Sequence, residues 1–540
     1  MATAPVILDR HGRPIPQSDI RRARAQAAMG AFLAGSGSAP ELRDWTPAAG
    51  SADADLDGDR QTIAARARDL ERNDALVSGA VQSLKDSAIG FGLDFQSMPD
   101  YRALGIGRDR AQDAARRIEA IWHEWSEDRD ACDVTGQLPF GAMLRQSVQS
   151  DLVNGESLQL ALWLPERQRR LGSRFATVMQ TVEADRLSNP QDRIGDPRLR
   201  DGVELDGYGA PVAYHIRSSH PGDLYMPWAV AAAVAAPEWQ RVALRGPGGR
   251  RVVIHSFDQK RPGQHRGVSV FAPVMTELKQ RARFQRAELQ AAVVNAVIAA
   301  VLESPADGQT LVDLFGDANA YMDMRNAQPA VQLGIGPGGA IPRLLPGETL
   351  KGYSSNRPSA GMDGFVTTVS RLIATGIGMT YETFMRDFSK TNYSSARASL
   401  LEGWRFVLFL RMHKTLTWCR PTLDLVIEEA VWRGYLDLPG FAESRARRQA
   451  WLRGVWRGPA RGWVDPVKEI TAAAMRVRLG ISTLRDEALD QGRDLDDLLD
   501  QIALEQEALK ARGLTLPEVN FMPSPDPTDN AQPEPAAAGA

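Results

Sequence analysis

The sequence predicts an α+β chain in which helices frame a small sheet and longer helices follow. Three observations point there: apolar residues at spacings of 3, 4 and 7 from Asp59 to Asn154, a period near 2 from Glu156, and helical spacing again from Val268. Ile63, Ala64, Leu70, Leu76, Val77, Ala80, Val81, Leu84 and Ile89 mark two helices broken at Asn73 and Asp74, expected to pack on the sheet. Ile118, Ile121, Trp122 and Trp125 share one side of a helix over 111–125, and 140–154 forms another. Residues 158–163 and 177–182 alternate as strands do. Tyr208 and Gly209 read as a hairpin turn between 202–206 and 211–216, because glycine tolerates the backbone such turns need. An α+β domain over 59–262 follows.

A long helix is expected over 268–301, with Leu278, Ala282, Gln285, Leu289, Val293 and Ile298 near one face. Residues 303–361 are rich in Gly and Pro, with short strand candidates and one helix at 307–324. Another helix covers 362–376. After Thr380 to Met385 a polar loop opens a helical stretch reaching Leu436. The Trp, Arg and Gly segment 451–463 is expected to dock, and 466–512 to form helices separated near Gly480 and Gly492. The first 58 residues read as a mobile arm with a helix candidate at 18–33, and the end from Pro517 as a disordered tail.

Composition excludes several classes. Hydrophobic content of 43% with 24% charge is ordinary globular composition. A net charge of -3 argues against a protein that grips nucleic acid over its whole surface. Cys132 and Cys419 are expected as buried, reduced thiols. The longest apolar run, 291–302, is short of the roughly 20 residues of a membrane helix, and no secretory signal is evident, so a cytoplasmic chain or a particle built there is expected.

Phosphate-loop, zinc-helix, nucleophile-elbow and dinucleotide motifs are absent, so neither a motor nor a common hydrolase is expected. The glycines at 334–339 lack the basic residue a phosphate cradle requires. Glu183 and Asp185, two apart on a strand, offer the alternative of a metal-dependent hydrolase or nuclease, against a plain ion pair with Arg186 or the following loop. His215 and His255 lie in strand patterns and read as structural. Lys279, Arg281, Arg283 and Arg286 either face a phosphate backbone or neighbouring subunit, or pair along their helix with Glu277 and Glu288. In the loop, Lys390, Thr391, Asn392, Tyr393, Ser394, Ser395 and Arg397 combine charge with hydrogen-bonding groups that suit sugar-phosphate contact, while a Ser or Asn there also suits a helix cap. Groove binding by 484–499 is disfavoured by Asp486, Glu487, Asp490, Asp494, Asp496 and Asp497.

That loop, Asp387-Phe-Ser-Lys-Thr-Asn-Tyr-Ser-Ser-Ala-Arg397, resembles the signature of lambda-type phage portal proteins. Val182-Glu-Ala-Asp-Arg186, the 202–215 hairpin, Val253-Ile-His255, Gly263-Gln-His-Arg-Gly-Val-Ser269, Leu345-Pro-Gly-Glu348 and Val464-Asp-Pro-Val-Lys468 follow in the family's order. The resemblance implies a ring oligomer, usually of about twelve subunits, at one vertex of the head. It implies a non-enzymatic conduit for double-stranded DNA without cofactor or metal. Its partners would be the terminase large subunit, head–tail connector proteins, and the major capsid and scaffold proteins, with assembly in the host cytoplasm. Mapped by order, 1–58 is an arm, 59–262 an α/β wing, 263–302 a stem helix, and 303–361 a clip with returning strands. Then 362–385 is a second stem helix, 386–396 a channel loop, 397–464 a long wing helix and docking segment, 465–512 a helical crown and 513–540 a tail.

Overall fold

The computed structural model describes residues 42–225, 238–297, 300–303, 361–462 and 466–514, short pieces at 13–16, 331–332, 340–341 and 349–352, and isolated positions 18, 319, 320, 323 and 327. Apart from those positions, the helices expected at 18–33 and 307–324, the glycine cluster at 334–339, most of the arm and clip, and the tail beyond 514 lie outside the described residues. The chain divides into two compact units, 1–57 with 261–263 and the remainder. In the first, Ser51 caps a short helix, Ala52–Leu56, and Arg261 pairs with Asp55 at 2.5 Å.

In the second unit, α1 (Arg60–Asn73) and α2 (Ala75–Ala88) break where the sequence places the break. The cause is Asp74, whose carboxylate accepts the Leu76 and Val77 amides at 3.0 and 3.3 Å and so starts α2. After β1 (Asp94–Ser97) comes α3 (Arg108–Glu127), with Ile118, Ile121, Trp122 and Trp125 buried as expected. Trp122 stacks edge-on against Phe140 and Trp456 at 5.1 and 5.4 Å, and the Trp125 indole donates to the Thr177 carbonyl at 2.9 Å. The expectation that α1 and α2 pack on the sheet needs correcting. Helix α4 (Phe140–Val153) intervenes, touching both of them on one flank and β2 (Glu156–Trp163) on the other. Met143, Leu144, Val148 and Leu152 are all buried there, so α4 is sandwiched rather than peripheral.

Strand β2 is the centre of an antiparallel sheet between β3 (Thr177–Val182) and β8 (Val253–Phe257). A second antiparallel sheet runs β4 (Leu199–Arg200), β5 (Val203–Leu205), β6 (Pro211–Arg217) and β7 (Trp239–Ala243) in order. The hairpin turn is confirmed: Gly209 sits at φ +80, and Asp206 accepts the Tyr208 and Ala210 amides at 2.8 and 2.9 Å. Leu158, Leu160, Val203, Tyr214 and Val253 form an apolar cluster joining the two sheets, apart from the main core.

Helix α5 (Met275–Val297) is shorter at both ends than the expected 268–301. A 3-10 turn, Ala272–Val274, precedes it, and β9 (Ala300–Glu303) follows, later pairing with β12 (Thr349–Gly352); between these, β10 (Val331–Gln332) pairs with β11 (Ala340–Ile341). Pro273 limits the first boundary, and β-branched Val301 favours extended chain beyond the second. On the expected face Leu278 is buried but Leu289 is 66% exposed, while the Val293 side chain and Ile298 lie outside what is described.

Helix α6 (Met362–Gly376) matches its expected span. Beyond it, α7 (Tyr393–Lys414) passes through a π-helical turn, Thr415–Cys419, into α8 (Arg420–Trp432). The described part of segment 451–463 does dock: β13 (Gly454–Arg457) pairs with β1, and Trp451 and Trp456 are buried. Helices α9 (Pro466–Arg478), α10 (Leu484–Asp490) and α11 (Leu495–Ala511) are separated at Gly480 and Gly492, each at φ +70. Cys132 and Cys419 are free and buried, and burial pushes the Cys132 thiol up to about 12.

Candidate nucleic-acid interface

The polar loop is shorter than expected, because Asn392 is an N-cap. Its side chain accepts the Ser395 amide at 2.8 Å, so Tyr393, Ser394, Ser395 and Arg397 already lie in the first turns of α7, and the loop proper is 386–392. At its start Arg386 takes a left-handed conformation, φ +54, closing the short helix Tyr381–Met385. The Arg386 guanidinium anchors this end to α2, donating to the Gly79 carbonyl at 3.2 Å and the Ser83 hydroxyl at 2.9 Å. Asp387 accepts the Ser389 amide at 3.0 Å, and bonds from Ser389 hold its carboxyl below the ordinary range. Thr391 donates its hydroxyl to the Phe388 carbonyl at 2.9 Å. These contacts fold the loop on itself.

Lys390 and Arg397 serve different faces. Lys390 is exposed and paired at 2.9 Å with Asp363 in the first turn of α6. Arg397 instead lines a cleft of about 300 Å³ beside α9 and α10, with Trp404, Arg411, Glu469 and Arg476. Tyr393 remains 46% exposed, with the Lys468 ammonium 5.9 Å from its ring centre.

The basic residues of α5 do not pair mainly along their own helix. Lys279 reaches Asp69 at 3.1 Å, and buried Arg281 reaches Asp74 at 3.0 Å, so these two pin α5 to α1 and to the cap of α2. Arg283 and Arg286 are exposed. Glu183 and Asp185 are not two apart on one strand, since β3 stops at Val182 and Asp185 lies in the turn Ala184–Arg186. Asp185 is engaged by Arg68 and by His220 at 3.2 Å, and Glu183 lies 3.5 Å from His220. That is an ion-pair cluster. Among the described residues, no group of three or more His, Cys, Asp or Glu is placed to hold a metal ion. No described helix is long and apolar enough to cross a membrane.

Comparison with known proteins agrees with the motif order. Residues 38–411 match the family described as phage portal protein, lambda family. Portal protein B of Escherichia phage lambda is 32% identical over 499 residues, covering 89% of this chain and 90% of that one. The chain belongs to the lambda family of phage portal proteins. The portal protein of Escherichia phage N15 is likewise 32% identical over 504 residues, 89% of this chain and 91% of that one. Solved structures match more faintly: the neck of an empty GTA particle computed with C6 symmetry gives a TM-score of 0.41 at 14% identity over 81% of this chain and 94% of that one, a likeness that decides nothing.

Within this portal chain, sequence reasoning missed a buried charge cluster centred on β2. Glu156, wholly buried on β2, receives Arg266 Nη2 at 2.5 Å, Arg60 Nη1 at 3.3 Å and the Gly267 amide at 3.1 Å, with His255 Nε2 at 3.0 Å. Arg266 also donates to the carbonyls of Leu187 and Ala184, each at 2.9 Å, and to that of Asp201. Its setting depends on two glycines. At Gly155, φ +93, a Cβ would lie 2.3 Å from the Val268 nitrogen, and one at Gly267 would lie 2.0 Å from the Gly155 carbonyl oxygen. The available signal was Arg266-Gly267 inside a family motif. His215, beside Glu204 at 2.9 Å, and His255 are structural as expected. A second buried cation, Lys414, holds Asp151 at 2.6 Å and donates to the Ser157 hydroxyl at 2.8 Å where α7 enters its π turn.

Proposed function

We propose that this portal chain assembles into a closed ring of about twelve copies that conducts and gates double-stranded DNA at one vertex of the head. The observation carrying this is the 32% identity to portal protein B of phage lambda over 89% of the chain. The ring would dock the terminase large subunit during packaging and head–tail connector proteins afterwards, against capsid and scaffold proteins assembled in the host cytoplasm. Such a role requires no catalysis by this chain, since a docked motor supplies the energy.

Two features support it. Leu401, Leu408, Phe409 and Met412 are exposed on α7, and Leu416 on the turn after it, around an exposed Glu402–Arg405 pair; this mixed apolar and charged surface suits a helix covered by the next copy. The net charge of -3 suits a channel in which DNA slides rather than sticks. In this reading 59–262 forms the wing, 263–302 and 362–385 the stem, 303–361 the clip, 397–464 the long wing helix and docking segment, and 465–512 the crown. Residues 386–396 meet the DNA backbone through Lys390, Thr391 and the first turn of α7. Light scattering followed by negative-stain imaging tests the ring: particles of about twelve copies with a central hole are expected, and a strict monomer at all concentrations and salt conditions overturns it.

A further inference from the structure

Phe91, in the turn after α2, is 101% exposed, so its ring projects clear of the protomer. The backbone beneath it is nonetheless fixed. Gly90 and Gly92 sit at φ +62 and +156. A Cβ at Gly92 would lie 2.9 Å from the Gly141 Cα, and one at Gly141 would lie 2.5 Å from the Phe91 carbonyl oxygen. Arg145, paired with Asp86, donates to the Gly90 carbonyl at 2.8 Å. An aromatic ring held out into water on a turn without slack loses little freedom when it is covered, which is what an interface anchor requires.

A cleft of about 180 Å³ opens beside α7, lined among others by Val268, Val270, Ile377, Phe406, Phe409 and His413. Apolar cavities of about 150 Å³ hold a benzene ring, so a phenyl side chain fits. Arg411 fixes where turn and cleft stand relative to each other. It donates to the carbonyls of Ser87, Ala88 and Pro459 at 3.1, 3.0 and 2.8 Å, and a Cβ on Gly90 would meet the Pro459 ring at 2.7 Å. The Phe91 turn therefore belongs to the side of α7 that carries Trp404, Leu408 and Arg411. At 3.6 residues per turn, that side lies about 165° round the helix from Phe406, Phe409 and His413. In a ring of about twelve copies, the two contact sides of a protomer face about 150° apart. Arg411 also falls between Phe409 and His413 in the chain, so turn and cleft stand at one level along α7. Each rim carries one pair of opposite charges, Asp86 and Arg145 beside the turn, exposed Asp258 and Lys260 beside the cleft.

We propose that the Phe91 ring of one copy enters the Phe406–Phe409 cleft of the next and anchors the contact between neighbours. This rests on the ring proposed above and names the residues that join its copies. The contact is heterologous: anchor and cleft are different surfaces of one chain, so every copy gives one ring and receives one around the closed assembly. Taking one phenyl ring out of water changes an association constant by ~10-fold or more.

Assembly of the full chain, followed by light scattering against protein concentration with negative-stain images of the products, tests this. Phe91→Ser should melt as the wild type does, because the side chain is exposed, and should raise the concentration at half assembly by at least ~10-fold. Phe409→Glu should act in the same direction, and the two together no more than either alone, because both break one contact. Phe91→Cys combined with Phe409→Cys and treated with a short bis-maleimide should give a ladder of linked chains that neither single variant gives, since Cys132 and Cys419 are buried. Unchanged assembly of Phe91→Ser, additive losses in the double variant, or assembled rings without the ladder would each overturn the anchor while leaving the ring standing. Phe91→Cys already shielded from thiol labelling in the monomer would overturn it as well, and assign the cover to the chain's own arm. A wild type that stays monomeric under all conditions would remove ring and anchor together.

Discussion

Glu156 is the most consequential single residue, because a wholly buried carboxylate tolerates no loss of partner. Arg266→Met would remove its closest cation and leave it Arg60 at 3.3 Å, and a destabilisation of ~3–5 kcal/mol is expected in denaturant unfolding, larger than in the double variant with Glu156→Gln. Burial alone would raise the Glu156 carboxyl, yet Arg266 and His255 hold it well below the usual range. A depressed carboxyl contributes stability that is complete above its unfolded value of about 4.5 and is lost only as pH falls through the folded value. The Glu156 carboxyl should therefore add no slope of its own to the melting temperature between pH 8 and 5, and its contribution should fade only at more acid pH. Lys414 follows the same logic in reverse, and Asp151→Ala should cost ~3–5 kcal/mol while Lys414→Met costs far less.

Two contacts at the ends of elements set local geometry. Asn392→Ala removes the cap of α7, with an expected cost of ~1 kcal/mol and faster amide exchange from Tyr393 to Arg397, leaving the helix beyond Trp404 protected. Exchange spreading along all of α7 would show that the cap is not what starts the helix. Gly155→Ala meets both a left-handed backbone and the Val268 nitrogen, so it should unfold the Gly267–Ser269 strap rather than merely lower stability. Limited proteolysis near Gln264 would report it.

For the assembled molecule, the exposed apolar residues of α7 and the loop make separable predictions. Leu408→Glu with Met412→Glu places charge on surface that is already exposed in the protomer, so its melting should hold while ring formation measured by mass is lost. Lys390→Ala should leave the ring intact and lower DNA retention in filled heads. Arg397→Ala should retain more DNA than Lys390→Ala, because its side chain lines the cleft beside α9 rather than the α6 face. Equal loss in both would return Arg397 to the loop's DNA-contacting set.

The sequence by itself determined the family, through the order of short motifs, and most helices and turns. Asp74 as a cap, Gly209 in its hairpin, and Gly480 and Gly492 between helices act through the local backbone, which a one-dimensional pattern records. Only the tertiary structure decided what closes over distance. Glu156 meets Arg60 and Arg266 from positions 96 and 110 residues away, and Lys279 and Arg281 reach across to α1 and the cap of α2 rather than along α5. It also ended α5 at Val297, where periodicity alone does not separate a buried helix from a strand, and placed Asp185 beside Arg68 and His220. The physical reason is that a charge chooses its partner by distance and burial in three dimensions, whereas caps, turns and periods are set within a few residues of one chain.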